Sequence, residues 1–160
     1  MLGVKMICVG RMRERFYIDA FEEYRKRLGG CCKFDCVELG EQRLGDAPSA
    51  AEIASALERE GAEILKTIPP DAYAVAMCIE GAERSSEELA AIVRERENSG
   101  KPKLCFIVGG SYGLCDTVKA RADLKLSMSR MTFPHHLARV MLAEQIYRAF
   151  KINEGSKYHK

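Results

Sequence analysis

A chain of 160 residues, 47 % hydrophobic and 30 % charged, can bury one core but leaves no room for a second full domain and a linker, so residues 1–160 read as a single domain. Its apolar fraction, six Phe and six Tyr exclude a disordered chain, and no apolar run approaches the roughly 20 residues of a membrane span. The formal charge of +2 excludes nothing by itself, but it is unevenly spread: residues 1–30 hold seven Lys/Arg against four Asp/Glu, residues 131–160 five against two, and the middle is acidic.

The opening MLGVKMICVG carries no basic region ahead of its apolar stretch and no small-residue cleavage site. It therefore reads as a first strand, Val4 to Val9, in a cytoplasmic protein with no membrane partner. Arg11, Arg13, Arg15, Arg25, Lys26 and Arg27 follow, dense enough to form a basic face for phosphates or simply a solvated helix face. Within them Tyr17 to Leu28 repeats Phe21, Tyr24 and Leu28 at helical spacing. Cys31, Cys32 and Cys36 are the only cysteine cluster, and without paired CxxC spacing or a nearby His they lack the ligand set of a structural zinc, so no metal is expected. The other cysteines, Cys8, Cys78 and Cys105 among them, sit mostly in apolar strings, where a thiol behaves as a small hydrophobe.

Further strands are predicted over Phe34 to Leu39, Tyr73 to Ile79, Leu104 to Val108 and Leu124 to Met128. Ser49 with Glu52, and Ser85 with Glu88, are capping boxes that open two helices. A last helix should start near Pro134, which suits a first turn because it has no N–H, and run to about Ile152. Strands alternating with helices give an α/β fold with a mainly parallel sheet flanked by helices. In such sheets ligands gather beyond the carboxyl ends of the strands, which directs attention to three loops.

The first is Glu80-Gly81. The second is Gly109-Gly110-Ser111-Tyr112-Gly113, which lacks the Gly-Lys-Ser/Thr of a P-loop and the spacing of a dinucleotide fingerprint, and suits either a tight turn or a close backbone approach to a ligand. The third is Ser127-Met128-Ser129-Arg130-Met131-Thr132 with Phe133. Its hydroxyls could read adenine edges while Met128, Met131 and Phe133 form an apolar wall, or Thr132 could simply cap the next helix.

His135 and His136 are adjacent on a helix and point about 100° apart, so they read as packing or polar contacts rather than joint metal ligands. On the terminal helix Val140, Leu142, Ala143, Ile146, Tyr147 and Phe150 cover a broad arc that contains Arg139. That breadth suggests a subunit interface or a paired site group. Glu144 and Arg148, spaced i,i+4, fit a surface pair. The ending Gly155-Ser156-Lys157-Tyr158-His159-Lys160 is either a frayed tail or a strap that brings an imidazole, a phenol and two ammonium groups to a substrate.

FIVGGSYGL followed by LSMSRMTFPHHLARVMLAEQIYRAFKINEGSKYHK resembles the bacterial RlmH family, large-subunit ribosomal RNA pseudouridine methyltransferases of the SPOUT superfamily. ICVGRMRERFYIDAFEEYRKRL extends the resemblance to the first strand and helix, with a looser stretch from Cys31 to Glu60. The resemblance implies a homodimer with a C-terminal trefoil knot. It also implies methyl transfer from S-adenosylmethionine to N3 of a pseudouridine in the helix 69 loop of 23S rRNA, on the assembled 70S ribosome.

Carried over by position, the cofactor would be held by Met77, Gly109, Met128, Ser129, Arg130, Met131, Thr132 and Phe133. Tyr158 and His159 would orient the base or take its proton, with Lys160 and Arg139 as anion contacts across the dimer interface. Two departures stand out: Met77 where the family usually has Leu, a volume-preserving exchange, and Ala82 where relatives commonly carry Lys. The shared loops leave three rivals: a knotted methyltransferase for another RNA such as a transfer RNA, a ribosome-binding factor without turnover, and a plain nucleotide-binding domain.

Overall fold

A computed structural model describes residues 1–160. The elements are β1 (Gly3–Val9), α1 (Arg15–Leu28), β2 (Lys33–Leu39), α2 (Ala50–Thr67), β3 (Tyr73–Glu83), α3 (Ser86–Glu97), β4 (Lys103–Val108), α4 (Asp116–Arg121), β5 (Leu124–Ser127) and α5 (His135–Asn153). The five strands form one sheet in the order β2-β1-β4-β3-β5, and every pairing is parallel. All five predicted strands are present, as are both capping boxes: the Ser49 and Ser85 hydroxyls accept from the backbone N–H groups of Glu52 and Glu88, each at 3.1 Å.

A sheet covered on both faces explains why its central strands read as unbroken apolar runs. Along β1, Val4, Met6 and Cys8 face α1, α3 and α5, whereas Ile7 and Val9 face α2 and α4. Leu104, Phe106 and Val108 of β4 divide from Cys105 and Ile107 in the same way. Helix α5 packs against both α1 and α3. Its broad apolar arc is therefore buried within the chain, and Arg139 on it is 1 % exposed. The breadth that suggested a subunit interface is accounted for by these two neighbouring helices. The strand order and the return of α5 are compatible with the knotted C-terminal third that the resemblance implies.

Three local features differ from expectation. Helix α4 was not foreseen: six residues carry too little periodicity to stand out. Pro134 occupies the N-cap of α5, with ψ of 135°, so the helix begins at His135 and no side chain caps it, Thr132 included. Strand β3 runs past Ile79, because its register against β5 is interrupted: Leu126 pairs with Met77 and again with Ala82. Residues 78–81 loop out between these two pairings. Gly81 makes this possible, since a Cβ there would lie 2.7 Å from the Leu126 backbone.

Candidate functional site

The carboxyl ends of β3, β4 and β5 converge on a cleft of about 680 Å³. The outward loop of β3 gives it Cys78, Ile79 and Glu80, and the glycine loop after β4 gives residues 109–114. The segment after β5 gives most of one wall, and α4 contributes Lys119, which forms an ion pair with Glu80. That pair holds the Glu80 carboxylate below its ordinary range and the Lys119 ammonium above its own, in both cases mainly through their mutual hydrogen bond.

The glycine loop is both a tight turn and a cleft wall. Gly113, in the left-handed region at φ +83°, donates its N–H to the Gly110 carbonyl at 3.1 Å. Gly109 is pressed against the far side of its own loop, where a Cβ would lie 2.5 Å from the Gly113 carbonyl oxygen. The loop after β5 is shaped by its own serines: the Ser127 hydroxyl donates to the Ser129 carbonyl at 3.0 Å, and the Ser129 hydroxyl accepts from the Met131 N–H at 3.1 Å. Of the few large apolar side chains left exposed on the molecule, Ile79 (71 %), Tyr112 (50 %) and Met131 (75 %) all line this one cleft. An apolar patch gathered in a concavity marks a ligand site rather than random surface.

Seven of the eight residues expected to hold a cofactor line this cleft: Met77, Gly109, Met128, Ser129, Met131, Thr132 and Phe133. Arg130 does not. Its side chain is 95 % exposed and reaches Glu83 at 3.6 Å, so within the loop it faces away from the cleft. Ile79 and the pairing of Lys119 with Glu80 were missed by sequence reasoning, whereas Tyr112 lay in the glycine loop that it singled out. The apolar Ile79 beside Glu80-Gly81 was the available signal for the first; nothing in one dimension brings Lys119 to Glu80.

The residues expected to act on substrate lie elsewhere in the chain. Arg139 donates to Glu38 Oε2 at 2.8 Å, to the Gly10 carbonyl at 3.0 Å and to the Val9 carbonyl at 3.3 Å. It ties α5 to the ends of β1 and β2. Within one chain its guanidinium is buried and engaged at this corner of the fold, away from any anion outside it.

The tail is anchored rather than frayed. The Tyr158 hydroxyl donates to Glu144 Oε1 at 3.1 Å, its ring packs edge-on against Tyr147 at 5.0 Å, and the Arg148 guanidinium lies over it. His159 meets Glu87 Oε1 through Nε2 at 2.7 Å and Arg148 through Nδ1 at 3.3 Å. Glu144 and Arg148 are thus the half-buried clasp of the tail rather than a plain surface pair. Burial, with Glu144 nearby, pushes the Tyr158 phenol up to about 12, so near neutral pH it remains a hydrogen-bond donor.

None of the tail residues lines the cleft within one chain. Glu144 instead lines a second cavity, of about 480 Å³, that shares Leu126, Ser127 and Met128 with the first. No group of three or more His, Cys, Asp or Glu side chains is placed to hold a metal ion, and no helix is long and apolar enough to cross a membrane.

This parallel sheet, with its cleft of convergent loops beyond β3, β4 and β5, is the architecture of a SPOUT methyltransferase. A family model described as "Predicted SPOUT methyltransferase" matches residues 2–159, and the chain belongs to that family. Its relatives include proteins named ribosomal RNA large subunit methyltransferase H. That of Bacillus pumilus is 43 % identical over 99 % of this chain and 100 % of its own length, and that of Clostridium beijerinckii is 45 % identical with the same coverage. The fold is shared with more distant solved structures. A probable methyltransferase from Bordetella pertussis aligns over 92 % of this chain and 95 % of its own, with a TM-score of 0.58 at 14 % identity. A probable methylase family protein from Haemophilus influenzae aligns over 98 % of this chain and 70 % of its own, with a TM-score of 0.53 at 12 % identity.

Proposed function

We propose that this chain is an S-adenosylmethionine-dependent methyltransferase that modifies N3 of a pseudouridine in the helix 69 loop of 23S rRNA, in the cytoplasm, on assembled 70S ribosomes. It would work as a single knotted domain and as a homodimer. The observation that carries the reading is the convergence of Met77, Gly109 and the segment after β5 on one apolar-walled cleft. The name borne by relatives that match the chain over their whole length supports the ribosomal substrate.

The cleft suits the cofactor. Its volume is in the range of small-molecule sites, its walls pair methionines and Phe133 with the hydroxyls of Ser129 and Thr132, and Gly109 lets the glycine loop fold tightly against itself at the cleft wall. Bound there, S-adenosylmethionine supplies an electrophilic methyl carbon, and no metal is required. The protein's task is to hold the target nitrogen in line and to accept one proton from it. Met77, Met128 and Met131 grip an apolar ring by adaptable packing. Arg139 fixes the start of α5, and with it the segment that carries Thr132 and Phe133 into the cleft.

Tyr158 and His159 are the groups we assign to orienting the base or taking its proton, Tyr158 as a neutral donor, with Lys160 beside them as a phosphate contact. Because the tail is clasped on α3 and α5 outside its own chain's cleft, it would serve the cleft of a second copy. Transfer RNA as substrate, a binding factor without turnover and a plain nucleotide-binding domain remain as outcomes of the test. That test is transfer of labelled methyl from S-adenosylmethionine to ribosomes lacking the modification, compared across 70S particles, free large subunits and transfer RNA. Label confined to 23S rRNA of 70S particles is expected. Label in transfer RNA, or none despite cofactor binding, overturns the reading.

A further inference from the structure

The structure joins a third concavity to the cofactor cleft, polar where the first is apolar. It measures about 750 Å³, lies between the ends of β1 and β2 and the start of α5, and shares Ser111, Tyr112 and His135 with the cleft. Its cations are Arg11, Arg13 and Arg43, all exposed and none engaged in an ion pair, whereas Arg15, Arg25 and Arg27 are each paired with an acid on their own helix. Three acids line it too: Glu38 is taken up by Arg139, Glu60 accepts from the Gln42 N–H, and Glu41 lies at the edge nearest the cleft.

Lys26 apart, which is unpaired and outside the groove, the dense basic run of the N-terminus is thus two populations. Arg15, Arg25 and Arg27 are neutralised locally; Arg11 and Arg13 are free and, with Arg43 from beyond β2, turn toward one groove. A line of rings runs from α1 to the junction of groove and cleft. Phe16, 67 % exposed, lies 4.4 Å from Tyr17, Tyr17 lies 6.4 Å from His136, and His136 lies 4.2 Å from His135 at the junction with the cleft. Burial and the neighbouring His136 hold the His135 imidazole below its ordinary value, so this ring adds no cation at the junction near neutral pH. Glu41, cradled where Gly10 and Gly110 leave space for its carboxylate, sits at the same junction.

We propose that this groove is the seat of the single-stranded RNA flanking the target nucleotide: Arg11, Arg13 and Arg43 hold its phosphates, Tyr112 stacks a base within it, and Phe16, exposed on α1 outside its lining, stacks another. Unpaired cations beside exposed rings are the combination that binds unpaired RNA, since every base has a face to stack and every phosphate a charge. A duplex would be met by cations alone. The proposal rests on the ribosomal RNA reading above and adds the path by which the strand reaches the cleft.

The test compares three proteins with wild type: the triple variant Arg11→Gln/Arg13→Gln/Arg43→Gln, Phe16→Ala, and a control of equal charge loss on other surfaces, Arg59→Gln/Lys66→Gln/Lys101→Gln. Methyl transfer to ribosomes across a salt series, S-adenosylmethionine affinity, and anisotropy of a short fluorescein-labelled single-stranded RNA are measured for each. The triple variant should lose roughly tenfold or more in kcat/KM for ribosomes and flatten the log–log salt slope of RNA binding by about 2, with cofactor affinity unchanged. Phe16→Ala should weaken RNA binding about five- to tenfold without changing that slope, because stacking releases no counterions. The control should match wild type. If the triple variant keeps the wild-type slope and kcat/KM, or the control falls equally, the groove is not the RNA seat. If wild type labels no ribosomal RNA, the ribosomal reading fails, and the anisotropy series alone decides the groove: weaker binding in the triple variant sustains it, equal binding overturns it.

Discussion

At Arg139 a long charged side chain sits in an apolar arc with 1 % of its surface exposed, because three of its hydrogen bonds are made to groups that the ends of β1 and β2 leave over. The sequence showed the anomaly, an arginine among Val140, Leu142 and Ala143, but not its partners, since Glu38, Val9 and Gly10 lie more than 100 residues away and only the sheet register brings them together. Glu38 is itself 40 % exposed, so water would stabilise it if the pair were broken, and most of the loss would come from the two buried carbonyls. Arg139→Gln should therefore cost about 2–3 kcal/mol of unfolding free energy in urea. Because the segment after β5 leads into the start of α5, the same variant should raise the KM for S-adenosylmethionine more than it lowers kcat. A variant as stable as wild type would show that the guanidinium does not organise this corner.

Among the elements, those with local signals were legible and those set by tertiary contact were not. Ser49 and Ser85 announced their helices through hydrogen bonds made within four residues, a scale that the sequence displays directly. Helix α4 is a single short stretch held by Val118 in the core, and the interrupted register of β3 depends on which strand lies beside it. Ser85 is more than a helix start, because the α3 that it caps presents Glu87 to His159. Ser85→Ala should lower unfolding free energy by about 1 kcal/mol, read from thermal or urea unfolding. It should also expose the last residues to carboxypeptidase sooner than in wild type. Loss of stability without faster trimming would mean that the tail is held by Glu144 and Arg148 alone.

For the molecule as a whole, the three loops of the cleft could be read from sequence because a parallel sheet fixes where strand ends converge, whatever the contacts elsewhere. The placement of the tail could not. Tyr158 and His159 follow α5 directly, yet they are clasped outside the cleft, against Glu144, Arg148 and Glu87. If the tail completes the cleft of a second copy, two inactive variants should restore one another. Gly109→Ala distorts the glycine loop of the cleft, because its Cβ would lie 2.5 Å from the Gly113 carbonyl oxygen, and a chain ending at Asn153 has no tail. Random mixing of the two makes half of the dimers mixed, and each mixed dimer holds one intact cleft facing one intact tail. Methyl transfer should return to about a quarter of the wild-type rate. A tail acting on its own chain predicts no recovery, since every intact cleft would then belong to a chain without its tail. Both variants must bind each other for the result to count, which sedimentation of the mixture establishes before activity is read.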